Sequence, residues 1–119
     1  MSDRILIVAR MSDESAIRVR ELFAESDRTT LPFDLGVVRR DLYKYQGLYF
    51  HHIEFAGEGR PAVADARGRQ DFQELSRRLD DYIAPFDPAT WRSPADAMAD
   101  SFYSWSAPGR SGVAGKSSS

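Results

Sequence analysis

Leu35-Gly-Val-Val-Arg-Arg-Asp-Leu-Tyr-Lys-Tyr45 and Leu48-Tyr-Phe-His-His-Ile-Glu-Phe-Ala56 are two runs rich in β-branched and aromatic residues, joined by Gln46-Gly47. The pattern predicts two strands and a two-residue hairpin turn. Such a turn sets the register of everything beside it: Tyr45 pairs with Leu48, and the rest follows. Arg39 then faces Glu54, Asp41 faces His52 and Tyr43 faces Phe50, which puts two opposite-charge pairs and an aromatic pair on one face. The other face carries Val38, Arg40, Leu42, Tyr49, His51, Ile53 and Phe55. It is mostly apolar, as a face packed on helices should be, yet Arg40 and His51 sit on it as diagonal neighbours.

Working outward, Arg4 to Met11 is a continuous apolar run of the kind a central strand presents. Ser12 or Asp13 can cap a helix from Glu14 to Ser26, with Ala16, Val19, Leu22 and Phe23 on one side and Leu31-Pro32 as its stop. After the hairpin comes a Gly-rich loop over 57–61, then a short helical piece from Ala62 to Arg67 broken at Gly68. Phe72, Leu75, Leu79 and Tyr82 mark a helix from Gln70 to Ile83, ended by Pro85 and Pro88. Ser93-Pro94 has the form of a short helix start. The aromatic stretch Asp100–Ala107 is expected to be the last strand. The order β-α-β-β-α-β is the ferredoxin-like α+β arrangement, an antiparallel sheet with helices on one face. Packing the other face on a second copy would give a dimeric α/β barrel. One domain over residues 1–107 is expected, with 108–119 a disordered Gly/Ser-rich tail.

Composition narrows the function. With 119 residues the chain holds one domain, and a net charge of −2 offers no basic footprint for nucleic acid or an anionic membrane. No cysteine is present, so thiolate chemistry and a sulfur-ligated zinc are excluded. The only histidines, His51 and His52, are adjacent and point to opposite faces of a strand, so no metal site is expected. The Ile5–Ala9 apolar run is too short for a membrane span or a signal peptide core. A cytoplasmic protein is expected, with no membrane partner.

Arg40 on an inward face is the informative anomaly, because an unpaired interior guanidinium is costly. Two arrangements fit. In one, Arg40 lies at the sheet rim, reaches a helix carboxylate and leaves His51 as a satisfied interior group. In the other, Arg40 and His51 face a ligand pocket between sheet and helices, with Asp27 at its edge. The aromatics of the hairpin and C-terminal stretch can serve as core and interface or line such a cavity. Trp91 follows a Pro-rich loop that it can pin to the body, and Arg77-Arg78 reads as a solvated face.

Three stretches resemble a known family. Leu6-Ile-Val-Ala-Arg-Met11 is followed by Phe23-Ala-Glu-Ser-Asp27 and Leu31-Pro32. Leu35-Gly-Val-Val-Arg-Arg40 precedes Leu48-Tyr-Phe-His51. Asp87-Pro-Ala-Thr-Trp-Arg-Ser-Pro94, the most specific string, leads through Asp96-Ala-Met-Ala99 to Phe102-Tyr103 and Trp105. Together they resemble the tetracenomycin F2 cyclase type of bacterial aromatic polyketide cyclase, over about Arg4 to Ser106. The resemblance implies a ferredoxin-like homodimer without metal or cofactor that cyclises a poly-β-keto intermediate, in company with type II polyketide synthase components. It implies Asp27, Arg40 and His51 as catalytic residues; Ser26 stands where such relatives can have histidine. Ser26, Tyr49 and Trp91 are the candidate substrate-binding residues. On this reading Arg40 stabilises enolate or alkoxide charge, His51 shuttles the proton, and Asp27 orients His51 or serves as an alternative base. A cofactor-free monooxygenase acting on polycyclic phenols and a non-catalytic folding chaperone of the synthase are the alternatives.

Overall fold

Strands β2 (Val37–Tyr45) and β3 (Leu48–Phe55) turn at Gln46-Gly47 in the computed structural model, which describes residues 3–92 and 94–108. Gln46 has φ 47° and Gly47 φ 81°, the doubly left-handed backbone of a type I′ turn, whose twist matches that of the strands it joins. The register is the expected one: Arg39 lies opposite Glu54, Asp41 opposite His52, Tyr43 opposite Phe50 and Tyr45 opposite Leu48. One detail differs. A bulge between Val37 and Arg39 inserts Val38, which turns outward and is 59% exposed, while Val37 packs inward against the core. On the outer face, Arg39 bonds Asp41 of its own strand (Nε to Oδ2 2.8 Å).

β1 (Asp3–Arg10) pairs antiparallel along the whole of β3, Asp3 opposite Phe55 and Arg10 opposite Leu48. Sheet order is β2-β3-β1-β4, with β4 spanning Ala84–Pro85. The fourth strand is not the expected Asp100–Ala107. It is Ala84–Pro85, two residues docked on Arg10 and Ala9 at the sheet edge, where a proline without an N–H is tolerated. Its neighbour Phe86 holds it there, accepting a bond from Arg10 Nε (3.1 Å) and lying under the same guanidinium. Further along, Met98 bridges Ile7 and the Ala99 N–H donates to the Leu6 carbonyl, but residues 99–107 form no strand. Of the expected tail, residues 109–119 lie outside the described residues.

The helices stand on one face. A 3₁₀ turn at Asp13–Ser15 leads into α1 (Ala16–Ser26), which buries Val19, Leu22 and Phe23, three of the four residues expected to face inward. Leu31-Pro32 does not simply stop that helix; it opens a new one, α2 (Leu31–Leu35), whose first turn has no use for the N–H that proline lacks. The loop predicted over 57–61 is partly helical, since α3 runs Gly59–Ala66. Gly59 presses against β1 and β3, and its N–H donates to Asp3 Oδ2 at 2.8 Å. A Cβ there would lie 2.6 Å from Ile5 Cδ1 and 2.7 Å from the Phe55 ring.

α4 (Gln70–Leu79) is shorter than the predicted Gln70–Ile83, and none of its residues is buried. Phe72, Leu75 and Leu79 only lean on two core clusters, one built on Ala9, Met11, Val19, Phe23 and Tyr49, the other on Ile5, Ile53, Phe55 and Val63. An amphipathic helix that stands off its sheet leaves a space beneath it.

Gly59→Ala is expected to lower stability by about 1–3 kcal/mol, because Phe55 is wholly enclosed and cannot yield freely. The measurement is urea unfolding, read as a lower midpoint at an unchanged slope.

Candidate active site

The space under α4 is a cavity of about 800 Å³, within the range of roughly 300–1,000 Å³ typical of small-molecule sites. Its floor is the inner face of the sheet: Ile7 and Ala9 from β1, Tyr49, His51, Ile53 and Phe55 from β3, Arg40 from β2. Period-2 alternation puts all the β3 members on one side, and the I′ turn brings Arg40 alongside them. α1 contributes Phe23 and Ser26, α2 Leu31 and Leu35, α4 the roof, and the loop after β4 Trp91 and Arg92.

Arg40 is the hub. Its Nη2 and Nε donate to Asp27 Oδ1 (2.7 Å) and Oδ2 (3.1 Å), a two-pronged carboxylate pairing of high geometric specificity. Asp27 caps the C-terminal end of α1, which carries its carboxylate down to the sheet. Arg40 Nη1 lies 2.9 Å from His51 Nε2. A guanidinium can only donate, so Nε2 accepts and the imidazole carries its proton on Nδ1. The guanidinium also lies over the Phe23 ring at 4.8 Å, and the same ring meets His51 edge-on at 4.9 Å. One N–H on each of Nη1 and Nη2 remains for a ligand.

Arg40 does reach a helix carboxylate, and it also lines a cavity. His51 is 6% exposed, and burial, then Arg40 and His52, push its pKa down to about 3. In this arrangement it is a neutral acceptor that orients Arg40, with Nε2 engaged by the guanidinium. Asp27 is absent from the cavity lining, its carboxylate engaged by Arg40. Ser26, Tyr49 and Trp91 all line the cavity.

Sequence reading missed Arg67, Gln73, Ser76, Asp80 and Arg92, which also line it. Asp80 is the carboxylate of that lining. The only available signal was the polar face of α4, where Gln73, Ser76 and Asp80 recur at helical spacing beside Phe72, Leu75 and Leu79. Arg77, read as solvated, is another lining residue, salt-bridged to Glu74.

A ferredoxin-like domain with an apolar, arginine-bearing cavity between sheet and helices is the class these features define. The model of the polyketide synthesis cyclase family matches residues 3–106, and the chain belongs to that family. It is 45% identical over 101 residues to an uncharacterised protein of Streptomyces coelicolor, covering 84% of this chain and 91% of the relative. It is 41% identical to polyketide synthase CurG of Streptomyces cyaneus, covering 84% and 94% of the two chains. With tetracenomycin F2 cyclase of Streptomyces glaucescens it shares 39% identity over 108 residues, 91% of this chain and 98% of that one. The solved structure of that enzyme, a type II polyketide cyclase, superposes with a TM-score of 0.83 over 89% of this chain and 99% of the other. The chain is accordingly a polyketide cyclase, which sets aside the monooxygenase and the non-catalytic chaperone. No helix among the described residues is long and apolar enough to cross a membrane.

The His51 environment has a consequence for stability. With its folded pKa below the unfolded value of about 6.5, the native state binds fewer protons than the unfolded state between about pH 3 and 6.5. Stability therefore falls on acidification through that window, by up to about 1.4 kcal/mol per pH unit, and is unaffected by this group above it. His51→Gln keeps an acceptor for Arg40 without titrating. Chemical unfolding of both proteins from pH 7 to 4 is expected to show wild type losing stability relative to the variant.

Proposed function

We propose that the protein closes a ring on a poly-β-ketone by regiospecific intramolecular aldol condensation followed by loss of water, within type II polyketide biosynthesis. The observation that carries this reading is Arg40, a cation held rigidly by Asp27 and His51 and facing into a mainly apolar cavity.

Methylenes flanked by two carbonyls are already acidic, so the reaction asks little of a base and much of positioning. Deprotonation of one methylene leaves an enolate whose oxygen lies against the free N–H groups of Arg40. Its carbon attacks a ketone elsewhere on the same chain, forming the new C–C bond and an alkoxide. Arg40 stabilises negative charge at whichever oxygen holds it. Asp80 is the lining carboxylate that receives the methylene proton. Protonation of the alkoxide and loss of water with a second methylene proton give the enone, which tautomerises to the aromatic ring. Ser26, Tyr49 and Trp91 shape the space that selects which carbon meets which carbonyl.

The exposed aromatics support a homodimer. Tyr43 and Tyr45 on the hairpin and Phe102, Tyr103 and Trp105 in the C-terminal segment are 58–97% exposed, more large apolar surface than a monomer usually leaves in water. A cytoplasmic enzyme working beside type II synthase components fits the same reading, since poly-β-ketones are too reactive to travel far.

Turnover of an uncyclised polyketide released by a minimal synthase, followed chromatographically, tests the assignment. Arg40→Ala is expected to lower kcat/KM by roughly 10²–10³-fold, with shunt products replacing the cyclised one. Arg40→Lys is expected to recover part of that loss, since the charge returns without the two-pronged geometry. Full turnover with an unchanged product pattern in Arg40→Ala would refute it.

A further inference from the structure

Tyr49 carries a hydroxyl that forms no hydrogen bond among the described residues. The residue sits on the inner face of β3 opposite Ala9 and Lys44, is 3% exposed and lines the cavity. Among the described residues no hydrogen-bond partner reaches its oxygen. Its packing neighbours are apolar, namely Ala9, Met11, Val19 and Phe23, and its ring meets His51 edge-on at 6.2 Å between centroids. Buried polar groups in folded proteins are nearly always bonded, and one that is not calls for an explanation. Phenylalanine would fill the same space without the cost of desolvating a hydroxyl.

Three properties of the place suggest what the hydroxyl is for. Burial pushes its ionisation well up, so it is a neutral O–H donor and not a base under any working condition. His51 lies between the two groups, 2.9 Å from Arg40 Nη1 and 6.2 Å ring to ring from Tyr49, and all three line the cavity floor. The surrounding surface is apolar, so an oxygen acceptor brought in by a ligand would be the natural partner. A ketone or enolate oxygen has lone pairs to accept such a bond, and a donor kept out of water discriminates strongly against a ligand lacking the acceptor.

We propose that the Tyr49 hydroxyl donates a hydrogen bond to a carbonyl oxygen of the bound β-dicarbonyl substrate, next to the oxygen held by Arg40. The inference rests on the ring-closing reading above for its substrate class. Tyr49 and Arg40 together would grip two oxygens of the folded chain, one through a neutral donor and one through a cation. That fixes which segment of a repetitive polyketide lies under the arginine. The hydroxyl would contribute to both substrate affinity and the choice of ring.

Tyr49→Phe removes the hydroxyl and keeps the ring. The experiment titrates wild type and variant with benzoylacetone, a simple aromatic β-diketone, following the fluorescence of the chain's tryptophans, and measures the urea midpoint of each protein. The Kd of the variant is expected to rise about fivefold or more, with its midpoint unchanged or higher, because no intramolecular bond is lost. An unchanged Kd, a fall in the midpoint, or no binding of benzoylacetone to the wild type would each overturn the proposal. Turnover is assayed separately on the uncyclised polyketide, where the variant should lose roughly tenfold in kcat/KM and release more misfolded-ring products. If wild type bound the diketone and the variant bound it weakly while neither closed a ring, the cyclase mechanism would fail and the hydrogen-bond assignment would stand.

Discussion

A guanidinium placed on the inward face of a sheet must be compensated, and the way Arg40 is compensated organises the rest of the molecule. Its charge is met by Asp27 from the end of α1 and its remaining edge by His51 across the hairpin. Both partners are held by elements whose positions are set independently, α1 by Val19, Leu22 and Phe23 in the core and β3 by its full-length pairing with β1. The side chain is 14% exposed while that of Asp27 is 39% exposed, so the pair spans the boundary between interior and water. That placement avoids the full desolvation cost of a buried ion pair on a residue that also lines the cavity.

The cavity exists because the second helical layer does not close down on the sheet. α4 has the amphipathic pattern of a packed helix, yet it buries nothing completely and serves as a roof. The space of about 800 Å³ that results is of the size of small-molecule sites. The chemical character of the lining fits a substrate rich in carbonyl oxygens: apolar walls for the carbon chain, cationic and neutral donors for the oxygens.

The hairpin was legible before any coordinates because a two-residue turn leaves the register no freedom. From Gln46-Gly47 the opposition of Arg39 with Glu54, and the diagonal approach of Arg40 to His51, follow by counting. The same counting placed Val38 inward, and the bulge at that residue turned it outward. A bulge is selected by packing, here by the demand for Val37 beside Ile5, Ile53 and Phe55, and leaves no local signature. The fourth strand was misplaced for a related reason. Asp100–Ala107 has strand-like side chains, but the chain meets the β1 edge only at Met98 and Ala99 just before it, whereas Ala84–Pro85 has poor strand propensity and is docked by Arg10 and Phe86.

The sequence by itself determined the ferredoxin-like order of elements, the two-residue hairpin turn and the placing of Arg40 and His51 as diagonal neighbours on the inward face. Each of these rests on local geometry: the period of a strand, the chirality of a turn, the spacing of apolar residues on a helix. Tertiary structure alone decided that α4 stands off the sheet, which lining residues join Arg40, and that His51 is a locked, neutral acceptor. Those properties depend on how far separate elements approach one another, a balance of packing and desolvation summed over the whole chain. The hydroxyl of Tyr49 shows the difference in one residue. In the sequence it is one aromatic among many on a strand; in the fold it is buried, lines the cavity and has no hydrogen-bond partner among the described residues.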